Sequence, residues 1–459
     1  MIKEICIGVF MFCCIQLATA QQTFEKTYGT TTAEVAKSVR QTTDGGYIIG
    51  GTNLVKVNSQ GIEEWSKPLP SVFANVTSDN GYILIRNSSG IIFTKVDSVG
   101  NTLWQTVYSE GHWANHGYYI EETKDGGYIV TGRYQSVTGS GMLLLKLNAQ
   151  GGKVWRKTYT ESTSAGFNYG FSVQETLDDG YIMTGYSNIN HYDSTRHKDI
   201  FIIKTDSSGG EQWRKFFGGT ADDLSAVIQQ DDNGNYFIAG TTNSYGIGTA
   251  SNMYLIKLNA AGNTLWEKTY GGNLEETADG LWITNDGGCI LTGRSNSFSA
   301  LGDFDGYIVK TDANGDTLWT NTYGGTGEEA IHSVEQTTDG GYIMAGRTSS
   351  YGAGDLDMLL LKTNATGSLS FVTNTYQNTI PTIQYNVFPN PNRGVFTIQS
   401  DNKIASIEIF DVLGKLVYSE LINANYATFN LSAQAKGIYF YQIKSTSSSN
   451  VQTGKIIFE

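Results

Sequence analysis

A glycine-bearing turn occurs seven times in this chain, immediately before Tyr47, Tyr82, Tyr128, Tyr181, Tyr236, Cys289 and Tyr342, and the later intervals settle near 53 residues. The cleanest copy spans Ile331 to Tyr376: IHSVEQTTDGGYIMAGRTSS, a polar loop, then DMLLLKTNATGSLSFVTNTY. Asp339-Gly340-Gly341 supplies glycines that tolerate positive φ between two strand-like runs, as a tight hairpin turn requires. Met358-Leu359-Leu360-Leu361 is a short continuous apolar run, the pattern of a strand covered on both faces. Between turns, Lys-x-Asp/Asn-x-x-Gly is followed by tryptophan at Trp65, Trp104, Trp155, Trp213, Trp266 and Trp319, then by Lys-Thr-Tyr-Gly or a near relative. Self-similarity at a fixed period signals a stacked or circular repeat architecture.

Each period holds four strand candidates, illustrated by Ile331–Gln336, Tyr342–Arg347, Met358–Lys362 and the tryptophan strand. Four short antiparallel strands repeated seven times predict a seven-bladed β-propeller over residues 21–376, with a linear solenoid as the rival. Two features favour the ring. Hairpins dominate, and Phe24-Glu25-Lys26-Thr27-Tyr28 copies the last strand of a repeat before the first repeat begins, so it can complete the final blade. Repeats one and two are the shortest, with Pro68 and Pro70 interrupting the approach to the second, and are expected to form the poorest blades. Repeat four carries the longest insertion, Ile189–Lys198, where binding groups are expected.

At 459 residues the chain exceeds what one core serves, and 54 glycines against five prolines with 12% aromatics suit an all-β protein rich in turns. A net charge of −13 sets the long-range field against nucleic acid and anionic lipid. Residues 1–20 read as a secretory signal peptide: Lys3, an apolar run Ile5–Ile15, and Ala18-Thr19-Ala20 before Gln21 as the cleavage site. Cleavage there removes Cys6, Cys13 and Cys14 and leaves Cys289 as the single thiol, in the place of a repeat tyrosine, as core filling.

After Tyr376 the repeat ends. A linker at 377–384 leads to short alternating strands from 385 to 459, predicting a small Ig-like β-sandwich of about seven strands. Four landmarks stand in it: FPNPNRG at Phe388–Gly394, IEIFDVLGKLVY at Ile407–Tyr418, LSAQAKGIYFYQI at Leu431–Ile443, and KIIFE at the end. In this order they resemble the C-terminal sorting domain of type IX secretion in diderm bacteria, type A subfamily. Pro389, Asn390, Pro391, Gly394, Asp411, Gly414, Lys415, Gly437, Tyr439 and Lys455 carry the resemblance. It implies export through the periplasm, passage through the outer-membrane translocon, removal of the domain by a sortase-like peptidase, and a body attached to lipopolysaccharide or released. The repeats also resemble secreted bacterial propeller repeats in which WxKTYGG and QTxDGGYIxxG alternate, for example LWEKTYGG at Leu265–Gly272. That resemblance bears on fold and implies no reaction.

The most repeated charged feature is an acidic step before the first strand of a repeat: Glu34, Asp222-Asp223, Glu275-Glu276 and Glu328-Glu329. Converging at a channel mouth, such carboxylates would suit a hard cation; the alternative is solvated turns or pairing with repeat lysines. Asp312-Ala313-Asn314-Gly315-Asp316 lacks the closing glutamate of a calcium loop and reads as a hairpin turn. His191, Asp193, His197 and Asp199 crowd the repeat-four insertion and could form a metal or acid-base cluster, the alternative being a polar exposed loop. His112 and His116 are four apart in a stretch that reads as a loop entering a strand, not as one helical face. There is no nucleophile elbow, phosphate loop or dinucleotide fingerprint. The expectation is a secreted or surface propeller that binds a glycan or protein, without catalytic residues, cofactor or resident metal. The contrasting readings are an extracellular hydrolase acting on polysaccharide or peptide with carboxylates gathered at one face, and a self-associating coat component.

Overall fold

The computed structural model describes residues 22–459 except 111–114, 137–138, 161–166, 189–196, 249, 300, 370–384, 413–414 and 446–450. The chain forms two compact units that divide between residues 372 and 373.

The first unit is seven four-stranded antiparallel sheets. Six are built from consecutive strands. The seventh takes Glu329–Gln336, Tyr342–Thr348 and Asp357–Thr363, and Phe24–Tyr28 completes it from the other end of the unit, pairing Phe24 with Lys362 and Tyr28 with Met358. The first strands of neighbouring blades touch around the circle, and Ala36–Gln41 of blade 1 meets Glu329–Gln336 of blade 7. The architecture is the closed seven-bladed propeller that the orphan strand predicts.

The turns explain why the repeat reads as it does. In blade 1, Thr42 N donates to Gly46 O and Gly45 N to Thr42 O, each at 2.9 Å, with Gly45 at φ +79°. A Cβ on Gly46 would press on Val57 O and stand 2.6 Å from Lys56 Nζ, so the second glycine gives room to the lysine. That lysine is the frame's main polar staple. Buried Lys56, Lys95, Lys146, Lys204, Lys310 and Lys362 reach the turn aspartates Asp44, Asp79, Asp125, Asp178, Asp286 and Asp339 at 2.7–3.0 Å. Partial burial works against the charge of Asp44, Asp79 and Asp125, yet hydrogen bonds from the turn threonine, the lysine and a backbone N–H hold each carboxyl down at about 2.

Between blades the contact is aromatic. Trp65, Trp104, Trp155, Trp213 and Trp319 set their rings 5.8–6.0 Å from the post-turn tyrosine of the next blade, Tyr82, Tyr128, Tyr181, Tyr236 and Tyr342. Phe24 does this for Tyr47 at 6.2 Å, across the ring closure. Cys289 lacks a ring to offer, so Trp266 packs at 5.9 Å on Phe237 of its own blade. Cys289 is fully buried and burial pushes its thiol far up, in keeping with core filling. The second and third strands are buried almost throughout because blades cover both of their faces, as in Asp357–Thr363. Each enclosed Leu or Ile contributes roughly 1.5–3 kcal/mol.

Blades 1 and 2 are complete four-stranded sheets, against the expectation of poor blades. Pro68 and Pro70 fall in the connection between strands Glu63–Lys67 and Phe73–Val76, where a missing N–H breaks no ladder. Their brevity survives only as short strands, four residues for the first strand of blade 2.

Among its described residues the second unit has five strands: Tyr385–Phe388, Val395–Phe410, Leu416–Asn430, Gly437–Ser445 and Val451–Phe458. The count is below the expected seven because Val395–Phe410 and Leu416–Asn430 are long, continuous strands of 16 and 15 residues where short ones are expected. The register between them shifts at Gln399/Ile404, and the long strand exchanges Tyr385–Phe388 for Gly437–Ser445 as its other neighbour. Phe396, Ile398, Ile407, Ile409, Phe429, Ile443 and Phe458 fill its core.

Candidate functional site: the central channel

The first strand of a blade lines the axis, and in six blades it carries a β-bulge. The register against the second strand slips between Ala36 and Ser38, Gly117 and Tyr119, Gly170 and Ser172, Ser225 and Val227, Ala278 and Gly280, and Ile331 and Ser333. The unpaired residues are Lys37, Tyr118, Phe171, Ala226, Asp279 and His332. All six line a cavity of about 580 Å³ at the centre of the ring. A bulge frees one side chain from the alternation of its strand and re-aims it. Here it aims one residue per blade inward, and those residues differ in every blade while the frame around them repeats.

A second tier comes from the residue after the strand-two glycine: Arg133, Tyr186, Thr241, Arg294 and Arg347. Of these, Thr241, Arg294 and Arg347 line the same cavity. The two tiers give unlike walls. On blades 3 and 4, Tyr118, Tyr169, Phe171 and Tyr186 form a connected group of rings, with Tyr169 stacked on Tyr186 at 4.8 Å and Tyr118 edge-on to Phe171 at 5.3 Å. Arg133 lies 4.8 Å over Tyr169. On blades 6, 7 and 1 stand Arg294, Arg347, Lys37 and the pair His332 Nδ1 to Asp279 Oδ2 at 3.1 Å. Burial lowers the Lys37 ammonium, Asp279 opposes this, and Arg347 lowers it further. Among the described residues lining the cavity, Asp279 alone is a carboxylate.

Further along the same strands, Arg40 lies 5.3 Å from the Phe73 ring, 5.7 Å from Trp282 and 3.9 Å from Glu335. Burial pushes the Glu121 carboxyl up to about 7, against a hydrogen bond from Glu175 N and the charge of Arg40.

The acidic steps do other work than gathering at a mouth. Glu34, Asp223, Glu276 and Glu329 are buried at four separate blade junctions. Each accepts a backbone N–H from the segment after the preceding fourth strand: Glu34 from Thr30, Asp223 from Gly219, Glu276 from Gly272 and Glu329 from Gly325, at 2.8–3.1 Å. Hydroxyls add to this, as with Ser244 to Asp223, Ser295 to Glu276 and Thr348 to Glu329. Asp222 pairs with Lys198 and Glu275 with Arg294, whereas Glu328 hydrogen-bonds through its backbone to Ser349. Among the described residues no third-strand lysine takes part; six of them answer the turn aspartates. Among the described residues no group of three His, Cys, Asp or Glu is placed to hold a metal ion. Asp312 caps its own turn, accepting from Asn314 N and Asp316 N. His116 is half-buried at the start of a first strand, its imidazole held down by burial and Arg133. His112, His191, Asp193 and the cleavage residues Ala18, Ala20 and Gln21 lie outside the described residues.

In the second unit the motif residues build the fold. Asn390 donates to Lys455 O at 2.7 Å and accepts from Ile457 N at 2.9 Å, tying the Pro389-Asn390-Pro391 segment to the last strand. Gly394 stands at φ +85° against the backbone of Ser432, where a Cβ would lie 2.5 Å away. Asp411 and Lys415 close a hairpin, and Tyr439 donates to Ala435 O, two residues before Gly437, while its ring packs 4.6 Å from Phe458. Gly414 is outside the described residues. Residues 386–459 match a family described as the secretion system C-terminal sorting domain.

The tail is a type IX sorting domain. With it the chain carries a signal for export to the cell surface or the surroundings of a Bacteroidetes-type bacterium. No curated protein matches the chain. Among solved structures it is similar to PorZ, an essential surface component of the type IX secretion system of Porphyromonas gingivalis, at 11% identity and TM-score 0.38 over 91% of this chain and 69% of that one. It is also similar to a protein of unknown function from Bacteroides caccae at 13% identity and TM-score 0.39, over 63% of this chain and 94% of that one. The Pan2 WD40 domain of Neurospora crassa has 8% identity and TM-score 0.46, over 72% of this chain and 89% of that one. Likenesses this distant say nothing of ligand or reaction.

Proposed function

We propose that the propeller is a non-enzymatic binding module whose ligand enters the central channel, and that the sorting domain delivers it. The signal peptide takes the chain across the inner membrane and the outer-membrane translocon carries it out. A sortase-like peptidase then removes the sorting domain, and the body is attached to lipopolysaccharide or released. The observation that carries the binding reading is the set of six bulges, which present chemically distinct side chains to one cavity on an otherwise repeated frame. A cavity of about 580 Å³ is within the usual range for small-molecule sites, roughly 300–1,000 Å³. The hydrolase alternative calls for paired carboxylates, roughly 5–10 Å apart. Among the described lining residues Asp279 is the single carboxylate and is engaged with His332, which favours binding over hydrolysis.

Localisation of the chain with and without residues 385–459 tests delivery. The intact chain is expected at the surface or in the medium and the shortened one inside the cell. Surface display of the shortened chain contradicts the reading.

A further inference from the structure

We infer that the ligand of the central channel is an anionic saccharide, a carboxylate-bearing sugar whose ring lies on the aromatic wall and whose charge meets the cationic wall. This deepens the binding reading and rests on it.

The inference starts from a charge reversal. A protein of net charge −13 gathers Lys37, Arg294 and Arg347 around one cavity, with Asp279 as the single carboxylate among its described lining residues. Like charges held together in a partly enclosed space repel; burial chiefly lowers the Lys37 ammonium, and Arg347 lowers it further against Asp279. A bound anion offsets the repulsion.

Unmet hydrogen-bonding groups point the same way. Among the described residues, none hydrogen-bonds to the buried Arg347 Nε and His332 Nε2, or to Arg133 Nε beside the aromatic group. Arg294 is already engaged by Glu275 at 3.5 Å and by the Phe304 ring at 4.1 Å, so Arg347 and Lys37 are the cations available to a ligand. The Arg347 guanidinium can offer a carboxylate two parallel N–H donors. His332 adds the opposite requirement. With Nδ1 donating to the Asp279 carboxylate, the neutral ring leaves Nε2 an acceptor, and a hydroxyl is the donor that fits it. Across the cavity, the half-exposed rings of Tyr118 and Phe171 provide a flat apolar surface for the face of a ring. A carboxylate, hydroxyls and a flat apolar face occur together in a uronic acid. The volume accommodates one or two such units.

The test is isothermal titration of the full chain with a uronic-acid disaccharide and with its methyl ester, which differs chiefly in charge. The acid is expected to bind and the ester at least about tenfold more weakly, the effect of one lost hydrogen bond to a charged group. Arg347→Gln and Lys37→Gln should each weaken the acid by about tenfold and leave the ester unchanged. Ala226→Trp, which fills the channel, should abolish both. Melting temperatures of the variants show whether each is folded. Equal binding of acid and ester, both blocked by Ala226→Trp, overturns the anionic inference and keeps the channel as the site. Binding that Ala226→Trp leaves intact overturns the channel reading itself. Absence of binding by the acid to the folded wild-type chain, or inorganic phosphate competing as strongly as the disaccharide, overturns the saccharide assignment.

Discussion

Two positions of the repeat behave in opposite ways. The third-strand lysine is present in all seven blades, and in six it finds the turn aspartate. The bulge residue of the first strand is Lys, Tyr, Phe, Ala, Asp or His. Blade 5 shows what the uniform position requires. There Asn233 stands where the others have aspartate, and Lys257 turns to the Phe237 ring, 4.4 Å from its centroid. The lysine moves when its carboxylate is lost, so the staple is a matched pair and the repetition reflects folding. Apart from the Asp279–His332 pair, no repeated partner across the described residues fixes the chemistry of the bulge residues, which leaves them open to a ligand.

The contrast can be strained hardest with acid. Asp44, Asp79 and Asp125 are held at about 2 in the fold, below the ordinary 3.8, so their stabilisation is present above the ordinary value and is lost as pH falls through about 2. Summed over the turns, and discounted because these carboxylates are half-exposed, the loss should reach several kcal/mol. Calorimetric melting between pH 5 and pH 2 should show a steep fall over the lower half of that range. A flat profile would remove the staples from the account. A single staple gives a smaller effect. Asp339→Ala should cost about 2 kcal/mol, below a fully buried pair because Asp339 is partly exposed, while Asn233→Ala in blade 5 should cost under about 0.5 kcal/mol. Equal costs in denaturant titration would show that the lysine does not depend on its carboxylate.

Much of this frame was legible in the chain. Seven glycine turns with the Phe24–Tyr28 copy of a closing strand were enough to give a ring, because the turn chemistry and the strand period are local. The lysine staple was half legible: the motif was visible, but its partner lies 12 to 26 residues earlier along the chain, across a sheet. The acidic steps invited a cation reading because their hydrogen bonds go to the end of the preceding blade, which local spacing does not reveal. The bulges were missed. An extra residue in a strand leaves no glycine or proline to mark it, and the remaining signal was that one column of the repeat changes chemistry between Ala36 and Ser38, or Ile331 and Ser333, while its neighbours stay small or apolar. In the tail, the same residues that identify the sorting domain also hold its strands together.

Thermal denaturation of the bulge variants tests most directly whether these side chains serve the channel and not the fold. Replacing Lys37, Tyr118, Phe171 or His332 singly by alanine should move the melting temperature by no more than about 2 °C, the range of substitutions that remove no core contact. Losses on the scale of a buried core residue would mean that the ring of bulges is part of the frame, and that the binding site lies elsewhere.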